Sequence, residues 1–264
     1  MLLTIDVGNT ETKLGCFDGE TLRRTWRVTT QLRRTPDEYG VLFAQLFGSG
    51  GVVASEITDV VVASVVPALD AVVETACRNV FAATPVFLAP ETQRLIAIAT
   101  DNPAEVGADL VAVAIGGLER FGTPLIVVSF GTATVFVAIS AQGEYLGVAI
   151  APGVSVSIDA LIGRTAKLPQ VSLEAPNRAI GRNTVDALRS GIIFGFAGQI
   201  EAIVARMRAE MAVEARVVAT GGLASVVARQ TPVIEAIEPH LSLIGLQRFY
   251  GAGEARARRL ERQG

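Results

Sequence analysis

The sequence predicts an α/β protein built as two related halves, and three observations carry that expectation. Val, Ala, Ile and Leu dominate a chain that is half hydrophobic, 19% charged and only 6% aromatic, as expected for parallel strands buried beneath helices. An apolar run at residues 2–5 feeds the turn Asp6-Val7-Gly8-Asn9-Thr10-Glu11-Thr12-Lys13. The same plan returns 123 residues later as Ile126-Val127-Val128-Ser129-Phe130-Gly131-Thr132-Ala133-Thr134, with Ser129 where Asp6 stood. Each of these turns opens a three-strand, turn, helix order. A chain of 264 residues accommodates two such halves, taken as 1–122 and 123–264.

In the first half, Leu2, Leu3 and Ile5 make a short buried strand. Gly8 lets the backbone turn closely, and Asn9, Thr10 and Thr12 bring small hydrogen-bonding side chains. Such a turn suits an anion. Asp6, at the strand end, is a candidate holder of a hydrated magnesium ion, and Lys13 places one positive charge for a terminal phosphate. Alone, the turn reads equally as a hairpin with good turn residues; its repetition favours the functional reading. Strands follow at 14–17 and 21–29, split by Asp18-Gly19. Pro36 opens a helix with Asp37 and Glu38 in its first turn and Leu42, Phe43, Leu46 and Phe47 on its apolar face, broken by glycines at 48–51. A β-branched strand at 60–65, a helix at 69–81 and a short strand at 86–88 come next. A polar loop at 101–109 leads into a helix at 110–121, and Asp109 near its start reads locally as a cap or a first-turn charge.

The second half repeats the order, with a strand ending near Ser129, strands at 135–139 and 145–150, Pro152-Gly153, and a helix at 155–162. Asn183 and Thr184 cap a long helix, 185–211, with Ile192, Ile193, Phe196, Ile200, Ile203 and Val204 on its apolar side. Gly191, Gly195 and Gly198 weaken that helix but permit close packing, so another helix or a second subunit is expected against them. The strand at 217–220 ends in Gly221-Gly222 ahead of a helix, an arrangement that suits the adenosine part of a nucleotide and equally a plain strand-to-helix turn. Neither a Walker A pattern nor G-x-G-x-x-G occurs, which argues against P-loop and Rossmann sites.

Several classes are disfavoured. A net charge of -3 supplies no basic field for nucleic acid, and the arginines at 256–262 read as the solvated end of a C-terminal helix. The longest apolar stretch, 60–69, contains Pro67 and is too short to cross a bilayer. The N-terminus lacks the pattern of a signal peptide, so a cytoplasmic protein is expected. Cys16 and Cys77 form no motif and read as reduced and structural. His240 is the single histidine, which disfavours a His-based triad or a His-rich metal site.

Two Gly-Thr hairpins in duplicated halves, with a later Gly-Gly turn, resemble the acetate and sugar kinase, Hsp70 and actin superfamily. The resemblance implies ribonuclease-H-like halves, with a central cleft that Asp6 and Thr132 face from opposite sides. The match is closer still to type III pantothenate kinases. The stretch 6–13, Asn102-Pro103, 106–109, Gly131-Thr132-Ala133-Thr134, Ala151-Pro152-Gly153, Leu168-Pro169, Gly181-Arg182-Asn183-Thr184 and Thr220-Gly221-Gly222 look like that family's signatures, in its order. The resemblance implies ATP-dependent phosphorylation of pantothenate, the first committed step toward coenzyme A, by a homodimer using magnesium with potassium or ammonium. Residues 6–13, Gly131, Thr132, Ala133, Gly221 and Gly222 then face ATP. Asp109 becomes the base for the substrate hydroxyl, and Thr100, Gly107, Ala108, Leu110 and Thr184 line the pantothenate pocket.

The chain also departs from that pattern. Ser129 stands where the family uses an Asp for its monovalent cation, and Leu110 replaces the Arg after the base. Val135 replaces a Thr, Val148 a Gly, and Thr100 occupies the place of a substrate-facing Tyr. Serine offers a cation only a neutral oxygen. Two functions fit these residues: a kinase for pantothenate, or a re-purposed relative that binds nucleotide without turnover or phosphorylates another small alcohol.

Overall fold

The computed structural model describes residues 1–164, 169 and 171–253. Leu168 of the Leu168-Pro169 motif and the arginines at 256–262 lie outside the described residues. The chain forms β1 (Leu2–Val7), β2 (Glu11–Asp18), β3 (Thr21–Thr29), α1 (Pro36–Gly50), β4 (Asp59–Ser64), α2 (Pro67–Phe81), β5 (Val86–Phe87) and α3 (Ala108–Phe121). It continues with β6 (Leu125–Phe130), β7 (Ala133–Ile139), β8 (Tyr145–Pro152), α4 (Val154–Gly163), α5 (Thr184–Met211), β9 (Arg216–Gly221), α6 (Ala224–Val227), β10 (Ala236–Ile237) and α7 (Leu241–Gly251).

The repeat is explicit in the sheets. The first runs β3-β2-β1-β4-β5 and the second β8-β7-β6-β9-β10. In each, the first three strands are antiparallel neighbours and the last two run parallel to the first strand. The α/β class and the duplication predicted from the echo are both present.

The units are not the contiguous halves 1–122 and 123–264. Compact unit one takes in Met1–Ala97, Asp101–Glu119 and α7, whereas unit two takes in Ile98–Thr100 and Arg120–His240. The last helix returns to the first sheet because its inner face is apolar: Leu241, Leu243, Ile244, Leu246 and Phe249 are all buried. Sequence adjacency alone assigned it to the second half.

In unit one, β1 is buried along its whole length and therefore feeds two layers with alternate side chains. Leu3, Ile5 and Val7 point into the core built by α1 and α2, with Tyr39, Phe43, Phe47, Leu69, Val73 and Phe81. Leu2, Thr4 and Asp6 have the opposite parity and point toward the layer occupied by α7. A capping box of Thr35 and Glu38 starts α1, and Gly51 at φ 69 ends it. Pro67 sits at the start of α2, two residues earlier than periodicity suggested.

In unit two, Ile126, Val128, Phe136, Val217 and Ala219 pack against α5 through Ile200 and Val204. Among the described residues α5 is long and apolar enough, by length and composition, to cross a membrane; its stripe Ile193, Ala197, Ile200 and Val204 is buried inside the protein.

Candidate active site

The predicted site residues of unit one converge at the C-terminal end of β1. Asp6 and Lys13 are direct cross-strand partners in the antiparallel β1–β2 ladder, so both side chains stand on one face. Lys13 Nζ lies 3.2 Å from Asp6 Oδ2. Asp6 is only 3% exposed, while the lysine side chain is 28% exposed and keeps access to solvent.

The turn between them is shaped from within. Gly8 N–H donates to Glu11 O at 3.1 Å, and a Cβ on Gly8 would stand 2.9 Å from that oxygen. Thr30 clamps the turn from β3's end: its hydroxyl donates to Gly8 O at 2.7 Å and shares a 2.9 Å hydrogen bond with Thr12. Thr12 is buried and its hydroxyl is engaged by Thr30, so its part is to shape the turn. Val7 likewise turns its side chain into the core. Asn9, Thr10 and Glu11 form the exposed rim.

Asp109 falls in the first turn of α3. Its Oδ1 accepts the Leu110 N–H at 2.8 Å, and a Cβ on Gly107 would lie 2.5 Å from the same oxygen. Gly107 thus makes room for the carboxylate. Burial, followed by the negative charge of Asp6, raises the Asp109 carboxyl from 3.8 to about 6; the Leu110 N–H and the charge of Lys13 act in the opposite sense. A carboxylate with that affinity for protons is suited to general-base work near neutrality. Leu110, in the Arg position of the related pattern, adds no charge beside it.

Reasoning from sequence missed Ser242 and Thr30. Ser242, on the first turn of α7, donates its hydroxyl to Asp6 Oδ2 at 2.7 Å and is buried. Neither residue belongs to a motif, and 236 positions separate Ser242 from Asp6, so only the fold reveals the contact.

In unit two the counterpart turn is one residue tighter. Val7 pairs with Thr12, leaving four residues between, whereas Phe130 pairs with Thr134, leaving three. Gly131 N–H donates to Ala133 O at 3.0 Å, and Gly153 N–H to Thr132 O at 3.1 Å. A Cβ on Gly153 would collide with the Thr132 and Gly131 oxygens, and one on Gly221 with Phe130 O. Gly221 also holds φ 96, which only glycine adopts at low cost. Thus Gly131, Thr132, Ala133, Gly153 and Gly221 form one close-packed backbone cluster, with Gly222 following. Thr134 is buried, and its hydroxyl lacks a hydrogen-bond partner. Ser129 pairs with Val135 in the β6–β7 ladder, the positions that Asp6 and Lys13 hold in the first. Neither charge is retained there.

Thr184 is the exposed first residue of α5, behind an Asn183 cap whose side chain accepts the Asp186 N–H at 2.9 Å. Thr100, with a buried unpartnered hydroxyl, groups with unit two, whereas Gly107, Ala108, Asp109 and Leu110 belong to unit one.

Among the described residues no group of three or more His, Cys, Asp or Glu side chains is placed to hold a metal. Magnesium keeps most of its water and is commonly bound through one or two carboxylates and a substrate's phosphates. Asp6, buried at the end of β1 beside the partly exposed Lys13, fits the part of such a carboxylate.

A sequence profile of the type III pantothenate kinase matches residues 2–206. The type III pantothenate kinase of Myxococcus xanthus is 46% identical over 255 residues, covering 97% of this chain and 100% of the relative. That of Geobacter sulfurreducens is 46% identical over 250 residues, covering 95% and 98%. Among solved structures, a putative Baf family transcriptional activator from Campylobacter jejuni superposes with a TM-score of 0.60 at 18% identity, covering 96% of this chain and 98% of that one. The activator of 2-hydroxyisocaproyl-CoA dehydratase from Clostridium difficile, solved with bound ADPNP, gives 0.59 at 13% identity, covering 98% and 97%. At those identities the likeness is one of fold alone, and that fold is consistent with the duplicated ribonuclease-H-like halves expected from the sequence. With matched sequence running nearly end to end, and the Asp6, Lys13 and Asp109 cluster assembled in one unit, the chain belongs to the type III pantothenate kinase family.

Proposed function

We propose that the protein phosphorylates the primary hydroxyl of pantothenate with ATP, the first step toward coenzyme A. The observation that carries this reading is the convergence of Asp6, Lys13 and Asp109, with the Asp109 carboxyl raised to about 6, in a chain that covers the full length of a 46% identical kinase.

Phosphoryl transfer asks little covalent chemistry of a protein; it needs an aligned hydroxyl, a base and neutralised charge. Asp109 takes the hydroxyl proton. Lys13 reaches a terminal phosphate from a side chain that already faces solvent. The backbone of residues 7–11 and of Gly131, Thr132 and Ala133 offers donors to phosphate oxygens, and Gly221-Gly222 lies against the nucleoside. Asp6 holds magnesium, which neutralises phosphate charge when bound. Thr100, Gly107, Ala108, Leu110 and Thr184 contact pantothenate.

Activation by potassium or ammonium should be weak, since Ser129 presents a neutral oxygen beside Val135. The alternative of a nucleotide binder without turnover is not favoured, because these departures leave Asp6, Lys13 and Asp109 intact.

The working unit is a homodimer. A Cβ added to Gly191, Gly195 or Gly198 of α5 meets open space, and Leu146, Val148 and Ile150 project from edge strand β8 with Ile150 67% exposed. Small residues on an open helix face permit close approach of a second copy, and exposed apolar side chains on the other face of the sheet favour coverage. A cytoplasmic location fits the proposed metabolic reaction.

The test is ATP turnover with and without pantothenate, with the product identified by mass spectrometry. Phosphorylated pantothenate is expected; ADP release that ignores pantothenate would refute the reading.

A further inference from the structure

We infer that Ser242, on the C-terminal helix α7, is a positioning residue that fixes the carboxylate of Asp6 for a magnesium–nucleotide ligand; this rests on the reading of Asp6 as the metal-holding carboxylate. Two donors converge on one oxygen of that carboxylate, Oδ2: Lys13 Nζ at 3.2 Å and Ser242 Oγ at 2.7 Å. Neither uses Oδ1. The two donors differ in mobility. Lys13 is a partly exposed, long side chain, free to turn toward a phosphate, which weakens its hold on Asp6 at the moment the ligand arrives. Ser242 is 4% exposed on a short side chain and has no comparable freedom. It therefore keeps Asp6 in one rotamer while Lys13 changes partner.

The helix that carries Ser242 is itself pinned. A Cβ on Gly116 of α3 would collide with Leu241 O, and one on Gly245 of α7 with Ala112 O, so α3 and α7 meet backbone to backbone. Arg248 of α7 pairs with Glu119 of α3 at 2.9 Å. Gln247 Nε2 donates to Gly19 O at 3.3 Å in the β2–β3 turn. The element that bonds Asp6 is thus locked to the helix whose first turn carries Asp109 and to the hairpin that carries Lys13. Ser242 also sits in the first turn of its helix, where the partial positive charge favours the carboxylate it bonds. Groups that hydrogen-bond a metal-binding carboxylate set its direction, and removing one commonly lowers metal affinity by about 10- to 100-fold.

The experiment measures, by calorimetry, the Kd of a non-hydrolysable ATP analogue with magnesium and with EDTA, and compares their ratio among variants. Ser242→Ala is expected to reduce the magnesium-dependent gain by about tenfold while leaving the EDTA value unchanged, and Ser242→Thr, which keeps the hydroxyl, to restore most of it. Thermal melting monitors folding; if the alanine variant does not fold, Ser242→Cys, with a thiol that donates poorly, takes its place. An unchanged ratio in Ser242→Ala, with the gain lost in Asp6→Asn, would reduce Ser242 to packing and overturn the inference. A gain that survives Asp6→Asn would instead remove Asp6 as the metal-holding group, and the role of Ser242 with it.

Discussion

Lys13 Nζ stands 3.2 Å from Asp6 Oδ2 across the β1–β2 ladder, while the corresponding ladder positions of the second sheet hold Ser129 and Val135. The duplicated fold repeats its strand order but carries the charged pair in the first sheet alone, so the two turns are chemically unequal. In the proposed function the metal and the terminal phosphate fall to the first turn, and the second contributes backbone and hydroxyl groups.

Replacing Lys13 with Met removes the charge that holds the Asp109 carboxyl down, so its affinity for protons should climb beyond the present value of about 6. The acid limb of kcat/KM should move to higher pH, with ATP binding weaker by roughly one to two decades, as for loss of a charged hydrogen bond. Steady-state kinetics over pH 5 to 9 would check both; an unmoved limb would separate Lys13 from Asp109 electrostatically.

Gly107→Ala places a methyl group 2.5 Å from Asp109 Oδ1, too close for both to stay. The carboxylate must rotate, and a displacement of that size at a reacting group costs about 100-fold in rate. We expect kcat to fall with little change in the KM for ATP. A full-rate alanine variant would show that the present rotamer is not the working one.

Gly195→Leu fills open space in the single chain and replaces a poor helix former, so the folded monomer should gain up to about 1 kcal/mol. Light scattering should report a dimer for the parent protein at micromolar concentration and a monomer for the variant. A dimeric variant would move the interface off that face of α5.

Ser129→Asp with Leu110→Arg introduces two of the groups that the family resemblance leads one to expect and this chain lacks. The parent should respond weakly to potassium, and the double variant should gain more in turnover and potassium response than either single change. Strong potassium activation of the parent would show that Ser129 is a sufficient ligand.

Most of the strands and long helices were legible because their periodicities are strong: β-branched runs for β4 and β6, and an apolar stripe for α5. The two turns were legible because glycines and small polar residues recur at one spacing. Three things were hidden. Thr12 reads as a phosphate-facing hydroxyl, but strand parity and Thr30 turn it inward. The return of α7 to the first unit was hidden because its packing on the first sheet is a long-range choice with no local mark. Ser242 escaped for the same reason: a lone serine at the head of an apolar helix carries no motif, and its partner is 236 residues away.

The most direct test of the account is the pH dependence of kcat/KM for pantothenate in the parent protein and in Asp109→Asn. A base must be ionised to accept a proton, so the parent's rate should fall as pH drops through about 6. The variant should bind nucleotide normally, turn over roughly 10² to 10⁴ times more slowly and lose that limb. A variant within a few-fold of the parent, or one with the same acid limb, would contradict the assignment of Asp109 as the base.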